Sequence, residues 1–250
     1  MRESKIMKKY LFILLLAIPA ATSFQSCATL SQLGLIPTQL EMIAGLKDAL
    51  SQGMFSSFDA FNDPQSNAVV QFAFPGEAAQ IEKTLRDLGL TSLVNAATAK
   101  LTRAMGSAVT AAKPIFINSI KQMTVRDALS ILVTDNPRAA TDYFKNTNQE
   151  MLMAAFRPIV DSTVKLEKAD ADWKRIATAY NAFPLSKTKL EPNITDFIAA
   201  RAIDAMVKIM ADEEEKIRTQ YSFRKTDMMK KAFGYAEQEL KRRQIMGGSN

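Results

Sequence analysis

Asp172-Trp-Lys-Arg-Ile-Ala-Thr-Ala-Tyr-Asn-Ala-Phe183 carries the clearest structural signal in the chain. Apolar residues recur at positions 173, 176, 177 and 180, which is the spacing of one face of an α-helix. Asp172 stands at the start, where an acidic side chain favours a helix, and Pro184 follows the end of the pattern. The stretch therefore predicts an amphipathic helix whose apolar face packs into a core.

Helical spacing of apolar residues continues in both directions from this stretch. A Thr38-x-x-Glu41 capping box begins the first helical pattern, and Asn193 or Thr195 begins a long late one. Pro158 lies inside another helical pattern and predicts a bend. Only Val69–Phe74 alternates loosely, which predicts one short extended segment. The predicted fold class is all-α in the main: a multi-helix bundle with kinked helices and that single extended segment.

Several residues also predict where helices begin and end. Thr147-x-x-Glu150 has the form of a capping box, which indicates the start of a new helix. Thr226 is expected to cap a last, short helix that ends at Phe233, with Gly234 as its stop signal. The segment 241–250 is basic and then rich in Gly and Ser, so we expect it to be disordered.

The N-terminal segment has the layout of a bacterial lipoprotein signal. Lys8 and Lys9 precede a short apolar run, Tyr10–Ile18, and small residues then lead to Cys27, the only cysteine of the chain. Transfer of diacylglycerol to this thiol would leave the mature chain anchored by its acyl chains, since stable anchoring takes more than one chain.

Three alternatives to lipidation remain open at this point. A transmembrane helix needs about 20 apolar residues, and this run is about half as long before Pro19 interrupts it. A plain secretory signal would leave an unpaired thiol in an oxidising compartment. A buried structural cysteine is difficult to place directly behind a signal core. Met7 opens a complete signal by itself, so either Met1 or Met7 is the true start.

These features divide the chain into four parts. We predict a lipoprotein signal peptide at 1–26, a tether at 27–37, a single helical domain at 38–240 and the disordered tail at 241–250. The predicted location is the cell envelope of a Gram-negative bacterium. Ala28 follows Cys27 where an Asp is the usual inner-membrane retention signal, which favours the outer membrane, facing the periplasm.

Charge and composition restrict the partners. The formal net charge of the chain is +6, and the first 26 residues contribute four basic residues and one acidic residue, so a mature chain has 6 − 3, or +3. This leaves little support for a nucleic-acid partner. The expected partners are the membrane, through acylated Cys27, and envelope proteins or lipid.

Few residues are candidates for chemistry. The chain has no histidine, which excludes Ser-His-Asp and Cys-His nucleophile systems and histidine-ligated zinc. Ser162-Thr-Val-Lys165 matches the Ser-x-x-Lys pattern of penicillin-binding enzymes, but neither companion motif of those enzymes is present. The acidic run Asp212–Glu215 is a candidate cation site or, as we expect, a solvated helix end with i,i+4 ion pairs. We therefore predict no catalytic residue, no metal site and no cofactor.

Aromatic and methionine residues suggest one candidate ligand site. Such side chains line adaptable apolar sites, but they also fill cores, and the core interpretation is favoured. The residues of this possible apolar pocket are Trp173, Tyr180, Phe183, Met206 and Met210.

Eight short strings in the chain resemble those of an uncharacterised bacterial family, a domain of unknown function common among Gram-negative envelope lipoproteins. They cover most of residues 40–234, in the same order as in the family. Among them are Met123-Thr-Val-Arg-Asp-Ala-Leu-Ser-Ile-Leu, Phe156-Arg-Pro-Ile-Val, Asp212-Glu-Glu-Glu-Lys-Ile-Arg and Arg224-Lys-Thr-Asp-Met-Met-Lys-Lys-Ala-Phe-Gly. The resemblance implies a mostly helical envelope domain and transfers no catalytic residue.

The sequence thus leads to one functional hypothesis and two alternatives. The first is a lipid-anchored envelope protein that is not an enzyme and acts through protein contacts or scaffolding. The second is a binder of lipid or another apolar ligand in a pocket between helices. The third is a hydrolase, which would require Ser162 and Lys165 to lie side by side in a pocket.

Overall fold

The computed structural model describes residues 36–65, 67–74, 78–126, 128–182, 189–191 and 193–247. The predicted signal peptide, Cys27 and Phe183 lie outside these residues. Contacts divide the chain into two units, Met1–Thr38 and Gln39–Asn250, and every helix below belongs to the second unit. No helix in the described ranges is long and apolar enough to cross a membrane.

The second unit is built from α-helices, as predicted. Two 3-10 turns, Ala68–Val70 and Tyr221–Phe223, lie between helices, and the described ranges contain no β-strand. The helices are α1 (Gln39–Asn62), α2 (Ala78–Asp87), α3 (Thr91–Gln122), α4 (Ala128–Leu132), α5 (Ala139–Leu166), α6 (Ala169–Asn181), α7 (Thr195–Thr219) and α8 (Asp227–Gly247).

The segment Val69–Phe74, predicted to be extended, is not a strand. It starts within the first 3-10 turn, and only the part from Gln71 onward is non-helical. The alternation in sequence is real, because Val70, Phe72 and Phe74 are all buried. The backbone N–H of Phe72, however, donates to the Thr102 hydroxyl at 3.0 Å instead of to a neighbouring strand. A strand needs a ladder partner, and the helices provide none.

The helix start predicted at Thr147 is also wrong. Thr147 lies in the middle of α5, where its hydroxyl donates to the carbonyl of Tyr143 at 2.7 Å and caps nothing. This back-bond satisfies the hydroxyl inside a helix, so the capping-box pattern carries no boundary. Pro158 also lies inside α5, where it removes one backbone hydrogen bond from the helix without ending it.

The last helix is much longer than predicted. Thr226 does cap it, since the backbone N–H of Met229 donates to the Thr226 hydroxyl at 3.1 Å. The helix then passes through Gly234 and ends only at Gly247, because Ala236 and Leu240 continue its apolar stripe. The predicted disordered tail is therefore helical from 241 to 247, and its side chains 241–246 are exposed.

Helix α1 is the centre of the bundle and contacts α3, α4, α5, α7 and α8. Two glycines let it approach its neighbours closely. A Cβ at Gly53 would lie 2.9 Å from the Cα of Met210, and a Cβ at Gly45 would lie 2.6 Å from the Cβ of Ala232. Contacts of this kind are open only to glycine. They bring α7 close to α1 at Gly53 and α8 close to α1 at Gly45.

Helices α1 and α8 run antiparallel. The side chain of Gln52 donates to the carbonyl of Phe223, Thr226 donates to Asp48, and Lys231 pairs with Glu41. As the residue number falls along α1, that of its partner rises along α8. The C-terminal end of α8 therefore extends past the point where α1 begins.

Candidate functional site

The apolar site predicted around Trp173 is part of the hydrophobic core. Of its described members, Trp173 is 4 % exposed, and Tyr180, Met206 and Met210 are also buried in the single large core cluster. The rings of Phe72 and Phe74 pack against Trp173, with centroid distances of 6.4 and 5.8 Å. The indole N–H donates to the carbonyl of Glu191 at 2.9 Å. These contacts fill the space around Trp173 and fix the segment 71–74 to α6.

Ser162 and Lys165 do not form a catalytic pair. Ser162 is exposed, and the Lys165 ammonium donates to Asp161 at 2.6 Å. The hydrogen bond and the charge of Asp161 raise the pKa of Lys165 above its ordinary value. A lysine that activates a serine needs a lowered pKa instead. An open cavity of about 340 Å³ is lined by Lys165 but not by Ser162.

The acidic run 212–215 is split between solvent and the bundle interior. Asp212 and Glu215 are exposed, whereas Glu213 and Glu214 are buried, so the predicted solvated helix end is wrong for the middle two residues. No group of metal-binding side chains forms in the described part of the chain. The two buried carboxylates have protein partners instead: Glu213 accepts from Gln52 at 2.9 Å, and Glu214 binds another helix.

Glu214 caps the N-terminus of α5. Its carboxylate accepts from the backbone N–H groups of Ala140 and Thr141 at 3.0 and 2.8 Å, and from the Thr141 hydroxyl at 2.8 Å. The first N–H groups of a helix have no partner within it, and the helix dipole favours a negative charge there. A side chain from α7 thus takes the role of an N-cap residue for α5, and Ala140, one of the residues that it caps, lies 74 positions earlier in the chain.

Arg218 lies one turn after Glu214 and ties α4 to α7. Its Nε donates to Glu214 at 2.9 Å, and its Nη1 and Nη2 donate to the carbonyls of Leu132 and Ile131, both at 2.9 Å. The guanidinium also lies over the ring of Phe233, 5.4 Å from its centroid. Each guanidinium nitrogen already has an acceptor, so Arg218 is not available to an anionic ligand.

Arg224 closes the C-terminal end of α7. It is buried, and it donates to the carbonyls of Ile217 and Arg218, both at 2.9 Å. Its other partner is Glu237 on α8, at 2.9 Å. Hydrogen bonds from Lys241 and then from Arg224 lower the pKa of Glu237 below its ordinary value. We call the residues Glu214, Arg218, Arg224 and Glu237 the charge network; the side chains of the first three are at most 10 % exposed, and that of Glu237 is 42 % exposed.

Sequence reasoning placed Glu214 on a solvated helix end. The i,i+4 spacing of Glu214 and Arg218 did predict their ion pair, which has an N–O distance of 2.7 Å. Nothing in the local pattern shows that this pair faces α4 and α5. Arg224 is one of several basic residues in its part of the sequence. Its burial is explained by the last carbonyls of α7, which have no donor within the helix and accept hydrogen bonds from Arg224 instead.

A groove beside this network is the candidate functional site. It has a volume of about 300 Å³ and lies between α8, the end of α7 and the segment 132–137. We call it the α8 groove. Its apolar lining is provided by Leu132, Pro137, Phe233, Ala236 and Leu240, and its polar rim by Thr134, Asp135, Arg218, Thr219, Glu237, Lys241 and Gln244. Two charged residues of the groove already have partners within the chain, since Arg218 binds Glu214 and Glu237 binds Arg224 and Lys241. The groove therefore offers a ligand an apolar floor, and neither of these charged side chains is open to an anion or a metal ion.

Comparisons with known proteins give one match. The model of a family described as a protein of unknown function (DUF4197) matches residues 37–234, which are 198 of the 250 residues. No curated protein and no solved structure shows significant similarity to the chain.

Proposed function

The chain belongs to the DUF4197 family of proteins of unknown function, and from that premise we propose that it is a lipid-anchored, non-enzymatic protein of a Gram-negative cell envelope. In this proposal Cys27 carries the acyl chains, the membrane is the outer membrane, and the helical domain faces the periplasm. The domain acts by protein contacts, through the α8 groove.

The sequence of the N-terminal segment supports the anchor. A basic start, a short apolar run and a single cysteine after small residues are the parts that lipoprotein processing needs. Acyl chains contribute about 0.8 kcal/mol for each buried CH₂, so a multiply acylated cysteine needs no help from the protein to stay in a bilayer.

The use of the charged residues supports a role other than catalysis. Catalytic groups are poised with shifted pKa values beside a space for substrate. Here Glu214, Arg218 and Arg224 hold helix ends together, with their hydrogen-bonding groups directed at backbone. Lys165, the one candidate for a serine-activating base, has a pKa shifted in the unhelpful direction. The charged residues that could have served in catalysis therefore stabilise the fold or form an ordinary ion pair.

The α8 groove is the observation that carries the protein-contact part of the proposal. Pro137 and Leu240 leave an apolar concave surface above the buried side chains of Leu132 and Phe233, with Asp135 and Lys241 at its rim. An apolar side chain of a partner segment can fill such a space while its backbone meets the polar rim, which is how helices and peptides dock into grooves.

The same groove also supports the second candidate function, an apolar small ligand. Its volume of about 300 Å³ is at the lower end for small-molecule sites. The Trp173 region gives this alternative no space, because its side chains pack against one another. An apolar ligand, if the protein binds one, would therefore occupy the α8 groove.

The anchor has a direct test in cells. Replacing Cys27 with Ser should release the protein from membranes and abolish labelling by radioactive palmitate, whereas the parent chain is labelled and sediments with membranes. Continued labelling and membrane retention of the Cys27→Ser chain would refute the anchor.

Photo-crosslinking tests the groove. A benzophenone amino acid is placed at Leu240 of the full chain in cells, and a matched control carries it at Thr178, an exposed residue of α6. We expect a discrete protein adduct from position 240 and none from position 178. A lipid adduct at 240 would favour the small-ligand function instead. Equal adducts at both positions, or none at either, would contradict a docking role for the groove.

A further inference from the structure

We infer that the C-terminal end of α8 is a second membrane contact, which binds anionic lipid headgroups next to the lipid anchor. We call residues 241–247 the α8 tip. This inference rests on the proposed anchor for its geometry, but its test below does not depend on acylation.

The α8 tip lies beyond the start of α1. Lys231 pairs with Glu41, two residues after α1 begins, and α8 continues for 16 residues after Lys231. At about 1.5 Å per residue, this continuation is about 24 Å long. The last turns of α8 therefore extend past the N-terminal end of α1, at one end of the bundle.

The chemistry of this end is that of a bilayer-facing surface. Lys241, Arg242 and Arg243 lie side by side with Ile245 and Met246, which are 75 % and 64 % exposed. Basic residues close to exposed apolar side chains on one helix are typical of helices that meet a lipid surface. The tip also has an excess of positive charge, because only Lys241 and Arg242 have carboxylate partners, Glu237 and Glu239, in the described part of the chain.

Exposed apolar side chains are concentrated at this end. The five most exposed large hydrophobic side chains among the described residues are those of Leu166, Leu40, Ile245, Tyr221 and Met246. Leu40 lies in the first turn of α1, at 77 % exposure, so three of the five belong to the end of the bundle that carries the tip, whereas Leu166 and Tyr221 lie elsewhere. Ile245 and Met246 are neighbours on the tip, and neighbouring exposed apolar groups mark an interaction surface, whereas scattered single ones need no explanation.

The length of the tether indicates that a membrane is the partner of this surface, because the tether keeps the surface close to the bilayer. Cys27 precedes the first residue of α1 by 12 positions. A fully extended chain of that length spans about 40 Å at most. If Cys27 is acylated, the end of the bundle where α1 begins therefore stays within about 40 Å of the bilayer. The α8 tip lies at that end, and its cations match the negative surface potential of anionic lipid.

The test uses the Cys27→Ser chain, which carries no acyl group, and vesicles of phosphatidylethanolamine with phosphatidylglycerol in a three-to-one ratio. We expect it to sediment with these vesicles at low salt, not with phosphatidylcholine alone, and less at high salt. Each cation near the surface contributes about fivefold to binding, and Lys241 and Arg242 have carboxylate partners that reduce their share, so replacing Lys241, Arg242 and Arg243 with Gln should weaken binding by at least about fivefold.

A matched control separates the tip from general charge. Lys83→Gln, Lys174→Gln and Arg175→Gln together remove the same charge from exposed positions on α2 and α6. We expect this variant to bind vesicles like the Cys27→Ser parent. Equal weakening by both triple variants, or no binding of the parent to anionic vesicles, would overturn the inference.

A fluorescent reporter locates the contact. The Cys27→Ser chain has no cysteine left, so Met246→Cys or Thr178→Cys gives a unique site for an environment-sensitive nitrobenzoxadiazole label. With anionic vesicles, the label at 246 should brighten and shift to shorter wavelength, whereas that at 178 should not change. A response at 178 alone would refute the inference. Absence of palmitate labelling in the unmutated chain, together with a positive vesicle result, would reject the anchor and keep the tip.

Discussion

Neutralising Glu214 should cost this protein a large part of its stability. In Glu214→Gln the shape of the side chain is kept, but the charge that faces Arg218 and the start of α5 is lost. Four donors use this carboxylate: two backbone N–H groups, the Thr141 hydroxyl and the guanidinium of Arg218. Each carboxylate oxygen accepts from two of these donors, and a glutamine amide has only one acceptor oxygen, so two of the donors then face an NH₂ group.

The expected magnitude follows from burial. The side chains of Glu214 and Arg218 are 2 % and 10 % exposed. Breaking a buried ion pair by removing one charge costs about 3–5 kcal/mol, because the remaining charge is left uncompensated. Arg218 keeps two carbonyl acceptors, so we expect about 3 kcal/mol for Glu214→Gln. The neighbouring change Glu215→Gln, at an exposed position, should stay within about 0.5 kcal/mol.

Urea unfolding of the Cys27→Ser chain measures these values. Trp173 is the only tryptophan and is buried, so its fluorescence reports the transition. A double-mutant cycle with Arg218→Met should show a coupling of about 2 kcal/mol, since the second change removes the charge that the first one strands. If Glu214→Gln costs no more than Glu215→Gln, or if the two changes are additive, the network does not stabilise the fold as argued.

Three further predictions concern other parts of the chain. Gly45→Ala should destabilise the chain by about 1–3 kcal/mol in urea unfolding, because its Cβ would meet Ala232 and the backbone of Met228; Gly106→Ala, with only one contact at 3.2 Å, should cost clearly less. Phe72→Ala should cost about 3–5 kcal/mol and red-shift Trp173 emission, and an unchanged spectrum would contradict the packing of 71–74 on α6. The pKa of Glu237 is lowered on folding, so the stability that this residue contributes is present above its ordinary value of 4.5 and lost as the pH falls through the lowered pKa. The stability gap between the parent and Glu237→Gln should accordingly be larger at pH 7 than at about pH 3, and a constant gap would count against this ion pair.

Local patterns predicted the helices well and their ends poorly. The spacing of Trp173, Ile176 and Tyr180 correctly placed these side chains in the core, because one face of a helix is a property of a short stretch. Helix ends depend on more distant partners. The helix α8 continues through Gly234 because α1 packs along it, so this glycine is not a helix stop. The Thr147 hydroxyl binds a carbonyl inside α5, so this threonine is not an N-cap.

The candidate site could not be predicted from the sequence for the same reason: its residues bind partners that are distant along the chain. Glu214 caps a helix that begins 75 residues earlier, and Arg218 binds carbonyls 86 and 87 positions away. Spacing within 212–218 shows that the two side chains are neighbours, but not which surface they meet. The groove beside them is lined from α4, α7 and α8 together, and only the packing of these helices creates it.

The groove and the tip share one helix, so a partner protein and the membrane would act on the same element. Lys241 lines the α8 groove and also belongs to the α8 tip, two helical turns from Phe233. Changes at Leu240 should therefore affect crosslinking alone, changes at Ile245 should affect vesicle binding alone, and Lys241→Gln should affect both. If Lys241→Gln leaves either measurement at the parent value, the two surfaces work through separate residues, and the membrane does not help to position the partner through this side chain.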